Sequence, residues 1–146
     1  MESRVRGEFE VKLTPREGAA DGLGRMSIEK RYTGALEASS RGEMLTASTE
    51  VAGSAGYVAV ERVDGSLGGR EGTFLLQHSA TLTRGAPQLS IGVVPDSGTG
   101  ELVGLVGRMT IEITGGKHFY VFEYTIPRYG SDEEVEEDEG GLEDGV

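Results

Sequence analysis

Cysteine is absent from the 146 residues, which excludes a disulfide framework, a thiolate metal site, a cysteine nucleophile and redox chemistry at sulfur. Long apolar runs are absent too. The opening residues, Met1-Glu2-Ser3-Arg4-Val5-Arg6, hold no apolar core of signal-peptide length, and no run approaches the roughly 20 residues of a membrane span. A soluble, cytoplasmic protein with no membrane partner is therefore expected. Basic charge is sparse as well. The net charge of −11 is concentrated at the C-terminus, where residues 131–146 hold nine acidic side chains (Asp132, Glu133, Glu134, Glu136, Glu137, Asp138, Glu139, Glu143 and Asp144) and no Lys or Arg. The remaining 130 residues carry 14 basic groups and 16 acidic ones (25 less the nine), so they offer no basic stripe for phosphates and no nucleic-acid partner is expected.

What the chain has in quantity is glycine, 24 residues of it, falling between short runs that alternate apolar and polar. Such punctuation reads as an antiparallel sheet with many tight turns, and no long stretch keeps a helical period. The cleanest alternation sets Phe9, Val11 and Leu13 against Glu8, Glu10 and Lys12. A second run, Arg25 to Leu36, places Met26, Ile28 and Tyr32 on one face with Lys30 as a discordant charge. A third groups Glu43 with Leu45, Ala47 and Val51. The fourth, Tyr57 to Val63, has two readings: Tyr57, Ala59, Glu61 and Val63 share one face, Val58, Val60 and Arg62 the other, and either face puts a charge among apolar neighbours.

In the fifth run Phe74, Leu76, His78, Ala80 and Leu82 alternate with Thr73, Gln77, Ser79 and Thr81, so His78 looks inward. Leu89, Ile91 and Val93 mark a sixth strand. Val103, Leu105, Met109, Ile111 and Ile113 mark a seventh, and His118, Tyr120, Phe122, Tyr124 and Ile126 an eighth. Asp64-Gly65, Gly68-Gly69, Gly85-Ala86-Pro87, Ser97-Gly98-Thr99-Gly100 and Gly115-Gly116 supply the turns. An open sheet of eight strands leaves unpaired edges, and closure removes them. The expectation is all-β: a single antiparallel barrel of about eight strands over residues 1–129, followed by a disordered acidic tail over 130–146, whose charge run cannot bury enough apolar area to offset its ordering entropy.

Several segments occur in a recognisable order: Gly42-Glu43-Met44; Gly53-Ser54-Ala55-Gly56-Tyr57-Val58-Ala59-Val60-Glu61-Arg62; Gly65-Ser66-Leu67-Gly68-Gly69-Arg70-Glu71-Gly72-Thr73-Phe74-Leu75-Leu76-Gln77-His78; Val93-Val94-Pro95-Asp96-Ser97-Gly98-Thr99-Gly100-Glu101-Leu102; and Gly116-Lys117-His118. Together they resemble the bacterial domain-of-unknown-function family 3224 over roughly residues 5 to 128. That family is similar to the allene oxide cyclase-like barrels, whose members hold an apolar polyunsaturated or polyketide substrate inside the barrel. The resemblance implies a barrel of this kind, and for function it offers an analogy of fold.

Two residues stand out as catalytic candidates. His78 titrates in the physiological range as a residue type and can exchange a proton with a molecule inside a barrel; the plainer reading is a core histidine bonded to a neighbouring carboxylate or carbonyl. Glu61, among Tyr57, Ala59 and Val63, is expected to have its pKa raised by desolvation, which suits a general base or acid. Its plainer readings are an ion pair with Arg62, Arg70 or Lys30, or exposure to solvent in the other register. Tyr32, Glu43, Tyr57, Gln77, Glu101, Tyr120 and Tyr124 are ligand-binding candidates, Glu43 and Glu101 because they sit beside glycines where strands are expected to end at a barrel mouth. The glycine-rich loops match no P-loop, which needs Gly-Lys followed by Ser or Thr, and a Ser-His-Asp hydrolase lacks its Gly-x-Ser-x-Gly elbow. A metal site would have to join His78, His118 and Glu61 without supporting local spacing, so neither a metal nor a cofactor is expected.

The reading that results is a barrel binding one small apolar molecule in its lumen, with His78 and Glu61 as polar handles and isomerase or cyclase chemistry if it is an enzyme. The competing readings are a non-catalytic carrier using the same lumen, and a solid barrel that works as an interaction protein or a homo-oligomer.

Overall fold

A computed structural model describes residues 2–127; the boundary at 129 and the acidic tail expected over 130–146 lie outside the described residues. Eight strands follow one another: β1 (Ser3–Arg16), β2 (Leu23–Gly34), β3 (Leu36–Ser48), β4 (Ala55–Leu67), β5 (Arg70–Thr83), β6 (Ala86–Val93), β7 (Val106–Thr114) and β8 (Lys117–Thr125). Each pairs antiparallel with its sequence neighbour, and β1 pairs with β8 to close the barrel. No helix among the described residues is long and apolar enough to cross a membrane.

The turns explain why the strands pair in sequence order. Gly68-Gly69, Arg84-Gly85 and Gly115-Gly116 each supply two successive positive φ values, from 49° to 89°, the geometry of a two-residue hairpin turn whose twist matches that of its strands. Around the barrel, Pro15 pairs with Met26, then Met44, Ala59, His78, Ile91, Met109 and Phe122, and the path returns to β1 at Val5 rather than Pro15, ten residues lower. Eight strands with so large a stagger are strongly tilted, and the interior has room for packed side chains or one small ligand.

The two ends of this barrel differ. At one end, which holds the β2–β3 and β4–β5 turns and the β6–β7 connection, the inward residues Tyr32, Leu36, Val63, Leu67, Phe74, Leu76, Tyr120 and Phe122 are buried almost completely. Phe74 and Phe122 stack with centroids 5.9 Å apart, and Tyr32 meets Tyr120 edge to face at 5.7 Å. At the other end the same inward alternation continues through Leu13, Leu82, Leu89 and Ile113, yet these are 42–66% exposed. One half of the barrel is filled and the other is open.

Four sequence expectations are corrected by the fold. Asp64-Gly65 is no turn but lies inside β4, where a Cβ on Gly65 would come within 2.6 Å of Ala38 Cα, so glycine permits close approach of β3. Ser97-Gly98-Thr99-Gly100 is no tight hairpin: it belongs to a connection that runs back along the exposed edge of β5 and enters a single 3-10 turn, Gly100–Leu102. Thr99 N–H donates to Thr73 C=O at 2.8 Å, Leu75 N–H donates to Ser97 Oγ at 3.0 Å, and Glu71 N–H donates to Glu101 Oε1 at 2.9 Å. The connection thus satisfies backbone donors that a strand would otherwise satisfy, and it drives Leu102 and Leu105 into the filled end. Val103 and Leu105 accordingly precede β7 instead of beginning it. Finally, Glu43 lies in the middle of β3 rather than at a strand end, on the outer face with exposed Leu45, because inward positions fall on Leu36, Ala38 and Ser40.

Candidate functional site

Strand β4 settles in the register that turns Tyr57, Ala59, Glu61 and Val63 inward, leaving Val58 and Val60 about half exposed. A carboxylate is thereby placed inside the barrel with no exposure at all. Burying an ion costs several kcal/mol unless it is paired and hydrogen-bonded. Three neighbouring strands supply what it needs. From β2, Tyr32 Oη donates to Glu61 Oε1 at 2.8 Å and Lys30 Nζ donates to Oε2 at 2.8 Å. From β3, Ser40 Oγ donates to Oε1 at 2.6 Å. From β5, His78 Nε2 lies 2.6 Å from Oε2. Opposite Glu61, Gly42 lets β3 come close, since a Cβ there would fall 2.7 Å from Glu61 Cα.

The carboxylate has a partner for each of its lone pairs, and its titration reflects that. Burial pushes its pKa up, but the His78 contact, the charge and hydrogen bond of Lys30 and the Ser40 hydrogen bond outweigh burial and hold it at about 2. The raised pKa expected from the sequence is thus reversed, because desolvation was weighed there without the donors. Glu61 is an anion at neutral pH. Burial, together with the Glu61 charge and hydrogen bond, raises the Tyr32 phenol well above its ordinary range. The Tyr57 phenol is raised by burial and by the same charge, which places Tyr57 within electrostatic reach of the cluster from the open side.

Lys30 is 6% exposed as a side chain, and its ammonium stands over Phe9 at 5.1 Å and Tyr32 at 5.6 Å, contacts that favour a desolvated cation. Phe9 in turn packs against half-buried His118 at 5.2 Å. The chain of contact therefore runs from His118 in the open half through Phe9 to the charged group. Among the described residues, Lys30 Nζ bonds only Glu61 and His78 Nδ1 bonds nothing, so each retains hydrogen-bonding capacity.

The remaining candidates lie elsewhere. Tyr120 Oη accepts from Leu36 N–H at 3.0 Å and contacts Thr33 C=O at 2.9 Å, pinning the β2–β3 turn. Tyr124 stacks on Phe122 at 5.2 Å, toward the filled end. Gln77 is exposed on the outer face, Glu43 pairs there with Arg25 at 3.0 Å, and Glu101 serves the β5 edge at the filled end. None of these three faces the open half. No three His, Cys, Asp or Glu side chains converge among the described residues, and His118 sits against Phe9 rather than joining His78.

Glu61, His78 and Tyr32 were legible in the sequence, and Lys30 was one of three cations that could pair with Glu61, the one the fold selects over Arg62 and Arg70; Ser40 was not recognisable there as a member of the group. Lys30 carried a signal, a charge on an otherwise apolar face. Ser40 carried none, since the small and polar residues Ala38, Ser39 and Ser40 blur the apolar alternation between Leu36 and Gly42.

No curated protein matches the chain. A crystal structure of a protein with unknown function from the DUF3224 family of Shewanella oneidensis MR-1 is 50% identical, covers 88% of this chain and 100% of its own, and superposes with a TM-score of 0.84. Residues 5–124 match the family described as "Protein of unknown function (DUF3224)", and with its closed eight-stranded barrel the chain belongs to that family.

Proposed function

We propose that the protein binds one small, largely apolar molecule in the open half of its barrel, above the Lys30–Glu61–His78 cluster. The observation that carries this reading is the pairing of a buried, charged cluster with inward-facing apolar side chains, Leu13, Leu82, Leu89 and Ile113, that stay 42–66% exposed. A buried ion pair is a weak source of stability, and apolar side chains of similar volume do as well or better. Its presence under an open apolar half therefore favours a role toward a ligand. The spare donors on Lys30 suit an oxygen acceptor on that ligand, such as a carbonyl, hydroxyl or carboxylate, and the free Nδ1 of His78 can accept from a hydroxyl, while Leu13, Met26, Met44 and Leu82 suit its apolar body.

A second reading, isomerase or cyclase chemistry of the kind the allene oxide cyclase-like barrels perform, is favoured by one contact. Glu61, 2.6 Å from His78 Nε2, orients the imidazole and leaves Nδ1 available for a proton. In that reading His78 is the proton-transfer group. Glu61 is its positioning residue, since a carboxylate held at about pKa 2 with four partners makes a poor base.

Native mass spectrometry of gently purified protein, followed by denaturing extraction, tests the binding reading. The expected result is a co-purifying apolar compound, or saturable binding of the probe N-phenyl-1-naphthylamine. A ligand-free spectrum from protein that also ignores the probe overturns it and favours a barrel acting through its outer surface. With a ligand in hand, His78→Ala separates the two readings: a carrier loses affinity alone, whereas an enzyme keeps its ligand and loses turnover.

A further inference from the structure

Seven of the eight seams in the barrel wall are zipped over seven to thirteen register pairs, but β6 and β7 share only two, Ile91 with Met109 and Gly92 with Arg108. Toward the open end the ladder stops. Ala86–Ser90 of β6 pairs only with β5, and Thr110–Thr114 of β7 pairs only with β8. Five residues on each side then face one another unpaired, and at about 3.4 Å per residue the split runs for about 17 Å.

The inward alternation fixes what lines it. Ile91 and Met109 point into the barrel and are buried, so Pro87 and Leu89 on one edge and Ile111 and Ile113 on the other point the same way. All four are apolar. Leu89 is 43% exposed and Ile113 66% exposed, although both belong to the inner face. An apolar surface that should be lumen is in this way open to the side.

From this split we infer a binding site in the barrel wall, in which the apolar body of the ligand lies along Leu89, Ile111 and Ile113 and takes the place of the missing seam. This rests on the binding reading above and adds the chemistry of the ligand's body: an elongated, uncharged apolar chain, because the four lining side chains carry no polar atom and the split runs the length of five residues on each edge. Continuity supports the assignment, since Leu89 pairs with Ala80 and Ala80 with Tyr57, on the inner face of the open half. An added β-strand is a poorer occupant. Pro87 removes one donor from the β6 edge, and Glu112 places a charge, paired with Arg6 at 3.3 Å, beside the β7 edge; both are features that discourage strand addition.

The chain contains no Trp and no Cys, so single reporters can be introduced without background. Leu89→Trp is titrated with 11-bromoundecanoic acid methyl ester, a contact quencher, beside Val60→Trp on the outer face of β4. Saturable quenching at Leu89→Trp alone is expected, and equal quenching at both, or none at Leu89→Trp, overturns the site. In a second measurement, Ser90→Cys/Thr110→Cys closes the split with a disulfide across the position next to the last paired residues. Oxidation is expected to weaken N-phenyl-1-naphthylamine binding by about tenfold, about 1.4 kcal/mol, and reduction to restore it. Equal affinity in the oxidised and reduced forms overturns the wall site while leaving a binding barrel intact, whereas a wild-type protein that binds neither probe overturns both proposals.

Discussion

The filled and open halves of this barrel are made from the same strands, yet they obey different rules. In the filled half large inward side chains such as Tyr32, Phe74, Tyr120 and Phe122 pack against one another over small ones such as Ala38, and the β6–β7 connection adds Leu102 and Leu105 as a plug. In the open half the outermost inward positions, Leu13, Leu82, Leu89 and Ile113, remain apolar but stay 42–66% exposed, and one seam of the wall is unzipped. The charged cluster lies at the boundary. The lesson is that a continuous alternation along a strand assigns faces without assigning packing: Phe9 and Leu13 share a face of β1, but one is 5% exposed and the other 44%.

The comparison breaks most severely at the boundary. Glu61→Ala leaves the Lys30 ammonium buried without a counter-charge and is expected to destabilise the fold by about 3–5 kcal/mol, read from urea unfolding. The triple replacement Lys30→Met/Glu61→Leu/His78→Leu removes all the charge and is expected to be more stable than Glu61→Ala by about 1–4 kcal/mol, the Tyr32 and Ser40 hydroxyls left without their acceptor setting its remaining cost. A triple variant as unstable as Glu61→Ala would mean that the cluster serves the fold.

In the filled half, Phe122→Ala removes a ring stacked between Phe74 and Tyr124 and is expected to cost about 3–5 kcal/mol. Leu82→Ala, in the open half, is expected to cost about 0.5 kcal/mol or less, as at other surface positions. Equal losses in thermal or urea unfolding would erase the distinction between the halves.

Acid sharpens the contrast by a slightly smaller amount. The folded-state pKa of Glu61, about 2, lies below the ordinary 4.5, so its contribution is fully present above pH 4.5 and fades as pH falls toward 2. The loss across that window is on the order of 3 kcal/mol, since each pH unit between the two values is worth about 1.4 kcal/mol. The charge-free triple variant is expected to lack this share of the acid sensitivity in urea titrations at pH 5, 4 and 3, and identical slopes in the two proteins would remove Glu61 as its source.

The smallest effect concerns Ile113, which is 66% exposed on an inward face. Ile113→Ser is expected to change stability by less than about 0.5 kcal/mol yet weaken the binding of N-phenyl-1-naphthylamine. Unchanged probe affinity would class this residue with the ordinary exposed apolar side chains of the outer wall.

The sequence by itself determined the fold class, because period-two alternation and glycine-rich turns are local signals, readable wherever strands exchange neighbours in order. It also placed His78 on the inner face and marked Lys30 and Glu61 as charges out of keeping with their neighbours. Tertiary structure decided the rest. The face of Glu61 turned on the register of β4 against β3, which a strand with charges on both faces does not specify. The direction of its pKa turned on donors from three other strands, between 17 and 31 residues away in sequence. The positions of Glu43, Gln77 and Glu101 away from the open half, the reuse of Ser97 and Thr99 as a substitute strand edge, and the split between β6 and β7 are likewise properties of closure. No strand can report them alone, since a barrel's interior exists only once the first and last strands have met.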